Sequence, residues 1–305
     1  MACDWFCVQQ AVSLGAYCLG VPFYVVFLVA LWRGRRTDER LRASFFSLCL
    51  SMGLVDLEGA LQQWLLSRPR LLGIAFHFYA SLDPFASRLM LSWSFQLIGT
   101  QFLGVVMLAA NRFTAILLPE RHSQLWRART LRWLFAIQWL LPTLVFVGYA
   151  PFADCGFERV PNSTAVRLVF YSTHYGWVFL ASVVTSVLYA LMVVRVLMAR
   201  SDRLQKVELK LACSGLVIFM QAAGLTYTLV DMSISGDFSG SIAAWYYATL
   251  DLLCLVNPFV ITALSLPTRL QVGRLLSCGA YSGQPTTTLA GLTTVAPVQN
   301  NTSEQ

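Results

Sequence analysis

Seven apolar stretches separated by short polar ones organise this chain, at about 11–32, 43–66, 89–118, 131–151, 173–199, 209–232 and 242–266. Each is near the ~20 residues with which an α-helix crosses ~30 Å of hydrocarbon, and the third is long enough to tilt. A further apolar piece, 71–82, is too short to span and ends at Asp83-Pro84; it is expected to be an outer loop lying against the bundle. The pattern predicts an all-α membrane protein, a seven-transmembrane helix bundle over 11–266.

The charges orient this bundle. Arg33, Arg35, Arg36, Arg40 and Arg42 follow the first span, Arg121, Arg127, Arg129 and Arg132 the third, and Arg195, Arg200, Arg203, Lys206 and Lys210 the fifth. The other face holds Arg68, Arg70, Arg88, Arg159 and Arg167, partly offset by Asp83, Asp154 and Glu158. Lys and Arg collect on the cytosolic side, so residues 1–10 are expected outside and the C-terminus in the cytosol. The sequon Asn162-Ser163-Thr164 falls in an outer loop on this reading, which makes Asn162 a glycosylation site and the protein a glycoprotein. Asp4 is the only charge before the first span, and no basic n-region precedes it; the arginines after that span suit a retained anchor. Residues 267–278 read as a short amphipathic helix on the inner leaflet. Residues 279–305 are rich in Thr, Gly, Ser and Pro and are expected to be a disordered cytosolic tail.

Composition agrees. Of 305 residues, 57% are hydrophobic and 12% charged, against about 25% charged in a soluble domain. A water-soluble core cannot hide that much apolar surface. The net charge of +7 does not indicate a nucleic-acid partner, because the basic residues sit in short loops between spans; the lipid bilayer is the partner that composition implies.

The third span ends in Asn111-Arg112-Phe113-Thr114-Ala115-Ile116-Leu117, with Pro119, His122 and Trp126 next, and the seventh contains Asn257-Pro258-Phe259. Together with seven spans and an outer N-terminus, these motifs resemble G-protein-coupled receptors. The longer pattern, with Lys206-Val207-Glu208-Leu209 before the sixth span, resembles the nematode serpentine chemoreceptors of the class gamma and class v group. The resemblance implies signal transduction in sensory perception: a small odorant-like or pheromone-like ligand bound in the outer half, and a heterotrimeric G protein engaged through Asn111, Arg112, Phe113, Asn257 and Pro258. It also implies the plasma membrane as the location, with sensory cilia a candidate site. Three departures stand out. Ser87 occupies the position where many such receptors carry a cysteine, Asn111 stands where an acid would lock Arg112, and the sixth span lacks proline.

Helical geometry supplies candidates independently. Ser94 and Arg112 are about five whole turns apart and Gln101 lies about 20° off the same face, so the third span carries one polar stripe. Asp56 shares a face with Gly53, Gly59 and Ala60, small residues that permit close helix approach, so Asp56 is expected to point inward. Tyr247, Asp251, Cys254 and Pro258 share a face of the seventh span, and Gln221, Gly224 and Thr228 a face of the sixth. The ligand-binding candidates are Ser94, Trp93, Gln101, Gln221, Tyr247 and Asp251. Each has a plainer reading. Asp56 and Asp251 are functional by default as intramembrane carboxylates, or they are protonated acids bonded to a neighbouring helix. Gln101, Gln221 and Thr228 serve equally as interhelical glue, and Trp93, Tyr175, Trp177, Trp245 and Tyr246 as an aromatic belt facing lipid. Arg112, at the inner mouth, is expected to snorkel to the cytosol.

Cys155 is free to pair with Cys3 or Cys7 on the oxidising face, and Cys278, beside the membrane, is a palmitoylation candidate or a plain thiol. His77, His122 and His174 are scattered, so no metal site is expected, and no cofactor or catalytic constellation is evident. The chain is not read as an enzyme. A seven-span transporter or channel is the alternative, with Pro22, Pro142 and Pro258 as potential helix breaks. A retinal photoreceptor is excluded, because the only lysines, Lys206 and Lys210, lie at the inner loop and leave no intramembrane Schiff base.

Overall fold

The computed structural model describes residues 2–71, 84–149, 164–198 and 241–277, together with Ser81 and most of 216–228. Among the described residues the regular structure is all helical. Helix α1 (Ala2–Thr37) leads through a 3₁₀ turn, Glu39–Arg42, into α2 (Ser44–Gln62). A π-helical turn, Gln63–Ser67, prolongs α2 into the short α3 (Arg68–Leu71). Then come α4 (Pro84–Leu117), α5 (Pro119–Leu125), α6 (Ala128–Tyr149) and α7 (Thr164–Met198). The chain closes with α8 (Ser241–Leu255), α9 (Asn257–Leu264) and α10 (Leu266–Leu276). The Asn162 sequon, Cys155, Lys206, Cys278, most of the 71–82 stretch and the 279–305 tail lie outside the described residues.

Helices α1, α4 and α7 outrun the apolar stretches that predict them. Hydropathy marks only the hydrocarbon crossing, whereas a helix satisfies its own backbone and continues into the interface; α1 and α7, at 36 and 35 residues, show this most. Four helices are long and apolar enough to cross a membrane, and the bent α8–α9 pair makes a fifth among the described residues. The bend is 43°. Pro258 causes it: the ring lacks an N–H and clashes with the carbonyl one turn back. Pro22 and Pro142 instead lie inside continuous helices, so the regular series of broken spans that a transporter reading invokes does not form.

α4 is the central post, packed against α2, α6 and α7. Apolar residues divide by partner rather than by water. Tyr24, Phe27, Phe45, Phe102 and Leu253 fill the interior, while Leu19, Leu144, Leu180 and Trp245 stand exposed on the outside, where lipid is their solvent. Lipid tails are as apolar as leucine, so close packing and interhelical hydrogen bonds hold such a bundle. Ser51 Oγ donates to Gln138 Oε1 at 2.8 Å, joining α2 to α6.

Close packing leaves no room for a side chain at Gly53. A Cβ there would collide with Leu28 Cδ2 and lie 3.0 Å from Tyr24 Cε1 on α1. Gly15, by contrast, faces open space. Gly53→Val is therefore expected to cost about 1–3 kcal/mol by overpacking, read as a lowered melting temperature of the solubilised protein, while Gly15→Ala leaves melting unchanged.

Candidate functional site

Polar groups gather at three levels of the bundle. At the end expected to lie outside, α1, the α2 extension and α8 converge on Arg68. In sequence this arginine reads as an outer-loop charge; in the fold its side chain is wholly buried. The π turn explains the difference. On an unbroken α-helix, twelve residues after Asp56 place Arg68 about 120° off the inward face. The one residue added by a π turn returns it to within about 20°. Arg68 Nη2 forms a salt bridge with Asp251 Oδ2 and reaches Ser13 Oγ at 3.4 Å, and Nη1 donates to Gln10 Oε1. Asp251 also accepts from Ser13 Oγ and, at 2.9 Å, from Tyr17 Oη. The rings of Trp64 and Tyr247 lie 5.5 and 5.6 Å from the guanidinium carbon, within cation–π range.

At mid-depth Asp56 is fully buried, as the small-residue face of α2 predicts. Its carboxylate accepts from Tyr24 Oη at 2.5 Å, Gln101 Nε2 at 3.1 Å and Asn257 Nδ2 at 2.7 Å, tying α1, α4 and α9 to α2. Gly59 supplies the room, with Cys254 Sγ and Gln101 beside it. The Asn257-Pro258 bend thus sits directly on this carboxylate.

At the opposite end, expected to be the inner one, the structure corrects one expectation. Arg112 does not snorkel: it is 4% exposed. Its Nη2 donates to Asn111 Oδ1 at 2.7 Å, and its guanidinium carbon lies 4.1 Å from the centroid of the Phe45 ring on α2. Asn111 in turn donates from Nδ2 to Ser44 Oγ at 2.8 Å. The rest of the motif ties α5 back to α4. Thr114 Oγ1 accepts from Trp126 Nε1 at 2.7 Å and sits 3.0 Å from His122 Nδ1. Phe113 packs beside Tyr189 and Met192 of α7.

The six ligand candidates do not form one group. Asp251 and Tyr247 meet at Arg68. Ser94 pairs with Gln62 of α2, and Trp93 donates to Glu58 Oε1 at 2.8 Å, so Trp93 faces protein rather than lipid. Gln101 belongs to the Asp56 network. Gln221 lines a separate groove of about 400 Å³ with Leu216, Val217, Met220, Gly224, Thr249 and Leu252. Sequence reasoning missed Arg68, Gln10, Ser13, Tyr17 and Trp64. The signal for Arg68 was Asp251 itself, since an intramembrane carboxylate calls for a basic partner.

Comparison with known proteins agrees with this architecture. Residues 14–278 match the family model described as "Serpentine type 7TM GPCR chemoreceptor Srv". The chain is also 26% identical over a 308-residue alignment, covering 92% of each protein, to "Serpentine receptor class V-1" of Caenorhabditis elegans. The chain belongs to the Srv family of serpentine seven-transmembrane chemoreceptors.

Proposed function

We propose that this protein is a chemosensory receptor of the plasma membrane that binds a small external molecule in the outer half of its bundle. It signals through a heterotrimeric G protein at the Arg112 end. The observation that supports this best is the Asp56 network, which lies between the two end clusters and takes hydrogen bonds from α1, α4 and the bent segment α9. A rearrangement of α8 at Asp251 has a short route through α9 to Asp56, and through α2 to the Phe45 ring that holds Arg112. Trp64, Tyr247 and Asp251 are the residues nearest an entering ligand on this reading, with Ser94 and Trp93 flanking them. Asn111, Phe113, Asn257 and Pro258 shape the cytosolic end. A small-molecule screen in a heterologous cell, with G-protein activation and substrate uptake read in parallel, tests the proposal. Activation without uptake is the expected result; uptake without activation refutes it.

The orientation has its own test. With the N-terminus outside, Asn162 carries glycan and the tail sequons at Asn300 and Asn301 do not. Glycosidase is expected to shift the mass of the wild-type protein and not of Asn162→Gln. A shift that survives in that variant inverts the topology.

A further inference from the structure

The outer cluster has more hydrogen-bond donors than acceptors. Arg68 Nε, Gln10 Nε2 and Trp64 Nε1 are all buried, and none meets an acceptor among the described residues; the surplus buried acceptors on the neighbouring turns are fewer, Gln9 Oε1 and Gln63 Oε1. The three donors stand around one guanidinium: Gln10 holds Arg68 Nη1 through its oxygen, and the Trp64 ring is 5.5 Å from the guanidinium carbon. Buried donors without acceptors are costly, more so at membrane depth. Among the described residues the charge here is already balanced, because Asp251 matches Arg68 one for one. What the cluster lacks is acceptor oxygen, not negative charge. A second carboxylate at this place would lie against Asp251 in a low dielectric, where like charges repel strongly, and a ligand ammonium would face Arg68 and add further donors.

We infer that the Arg68–Asp251 cluster is the ligand-recognition centre, and that it takes a neutral, largely apolar molecule through one or two acceptor oxygens, such as a ketone or ester. The aromatic faces of Tyr17, Trp64 and Tyr247 supply the apolar walls. This inference rests on the receptor reading above.

The test uses full-length receptor in lipid nanodiscs, with four probes of equal carbon number: 2-nonanone, nonanoate, nonylamine and nonane. Ligand binding to the native state raises the melting temperature, so melting titrations give apparent affinities without a G protein. 2-Nonanone is expected to bind at least about ten-fold more tightly than the other three. Trp64→Phe keeps the ring and removes one donor, and is expected to weaken the ketone about five-fold, the size of one net hydrogen bond, while leaving nonane unchanged. Because Arg68→Ala alone is expected to misfold, the paired variant Arg68→Met/Asp251→Leu serves as the second probe and is expected to abolish the preference for the ketone. Equal binding of ketone and nonane, tighter binding of nonanoate, or a ketone preference that survives the paired variant overturns the inference; the first of these results means that water alone fills the donors. Nucleotide exchange measured on the same nanodiscs reports separately on the receptor reading.

Discussion

Arg68→Ala is expected to keep the receptor from reaching the cell surface. The change leaves Asp251 as a buried carboxylate whose remaining donors among the described residues are Ser13 and Tyr17. Breaking one side of a buried pair costs about 3–5 kcal/mol, a large part of the stability of any domain. Asp251→Ala is expected to do the same by stranding the guanidinium. The distinguishing case is Arg68→Met/Asp251→Leu. Removing both charges removes both penalties, and well-packed apolar residues often match or exceed a buried ion pair, so surface delivery is expected to return to near the wild-type level. Surface biotinylation of the three variants measures this. Normal delivery of the single variants would mean that the pair is absent in the membrane.

Asp56→Leu is the second large effect. It removes the common acceptor of Tyr24, Gln101 and Asn257 at once. Each stranded donor costs about 1–3 kcal/mol, and three helices lose their shared hydrogen-bond partner on α2. Asp56→Asn keeps one acceptor oxygen and the side-chain volume, so it is expected to fold better than Asp56→Leu. Because Asn257 adjoins the bend, Asp56→Asn is still expected to reduce ligand-stimulated nucleotide exchange at least about ten-fold while ligand binding changes little. Melting of both variants, alongside exchange by Asp56→Asn, checks both parts. Wild-type melting and exchange in Asp56→Leu would show that the network neither holds the bundle nor carries the signal.

Much of the mid-level chemistry was legible from periodicity. Asp56 points inward because Gly53, Gly59 and Ala60 share its face, and the stripe Ser94, Gln101, Arg112 lies along α4 as a 3.6-residue period requires. What periodicity could not show is a change of period. The π turn at Gln63–Ser67 carries Arg68 from the outer-loop count into the core, and with it the partner of Asp251. Cross-chain contacts escaped for a different reason. Phe45 under Arg112, Gln10 beside Arg68 and Glu58 on Trp93 are pairings between helices remote in sequence, and a single sequence contains no register between helices. Trp93 reads as an interfacial belt residue by composition, as Trp245 does; Trp245 is exposed, and only the rotation of α4 turns Trp93 toward Glu58. Gln221 shares a face with Gly224 as read, but that face lines the groove with Thr249 and Leu252 rather than the Asp251 cluster.

On the proposed mechanism, ligand binding outside is read out by Arg112 inside. In the structure the guanidinium is sheathed by Asn111 Oδ1 and the Phe45 ring; release from that site would offer its rigid five-donor fork to an inserting helix of the G protein. The most direct measurement is ligand-stimulated GDP–GTP exchange on a purified heterotrimer, by wild-type, Arg112→Ala and Arg112→Lys receptors in nanodiscs. Wild type is expected to accelerate exchange, Arg112→Ala to bind ligand with similar affinity and not accelerate it, and Arg112→Lys to recover little, because a point charge does not replace the fork. Full exchange by Arg112→Ala would contradict the claim.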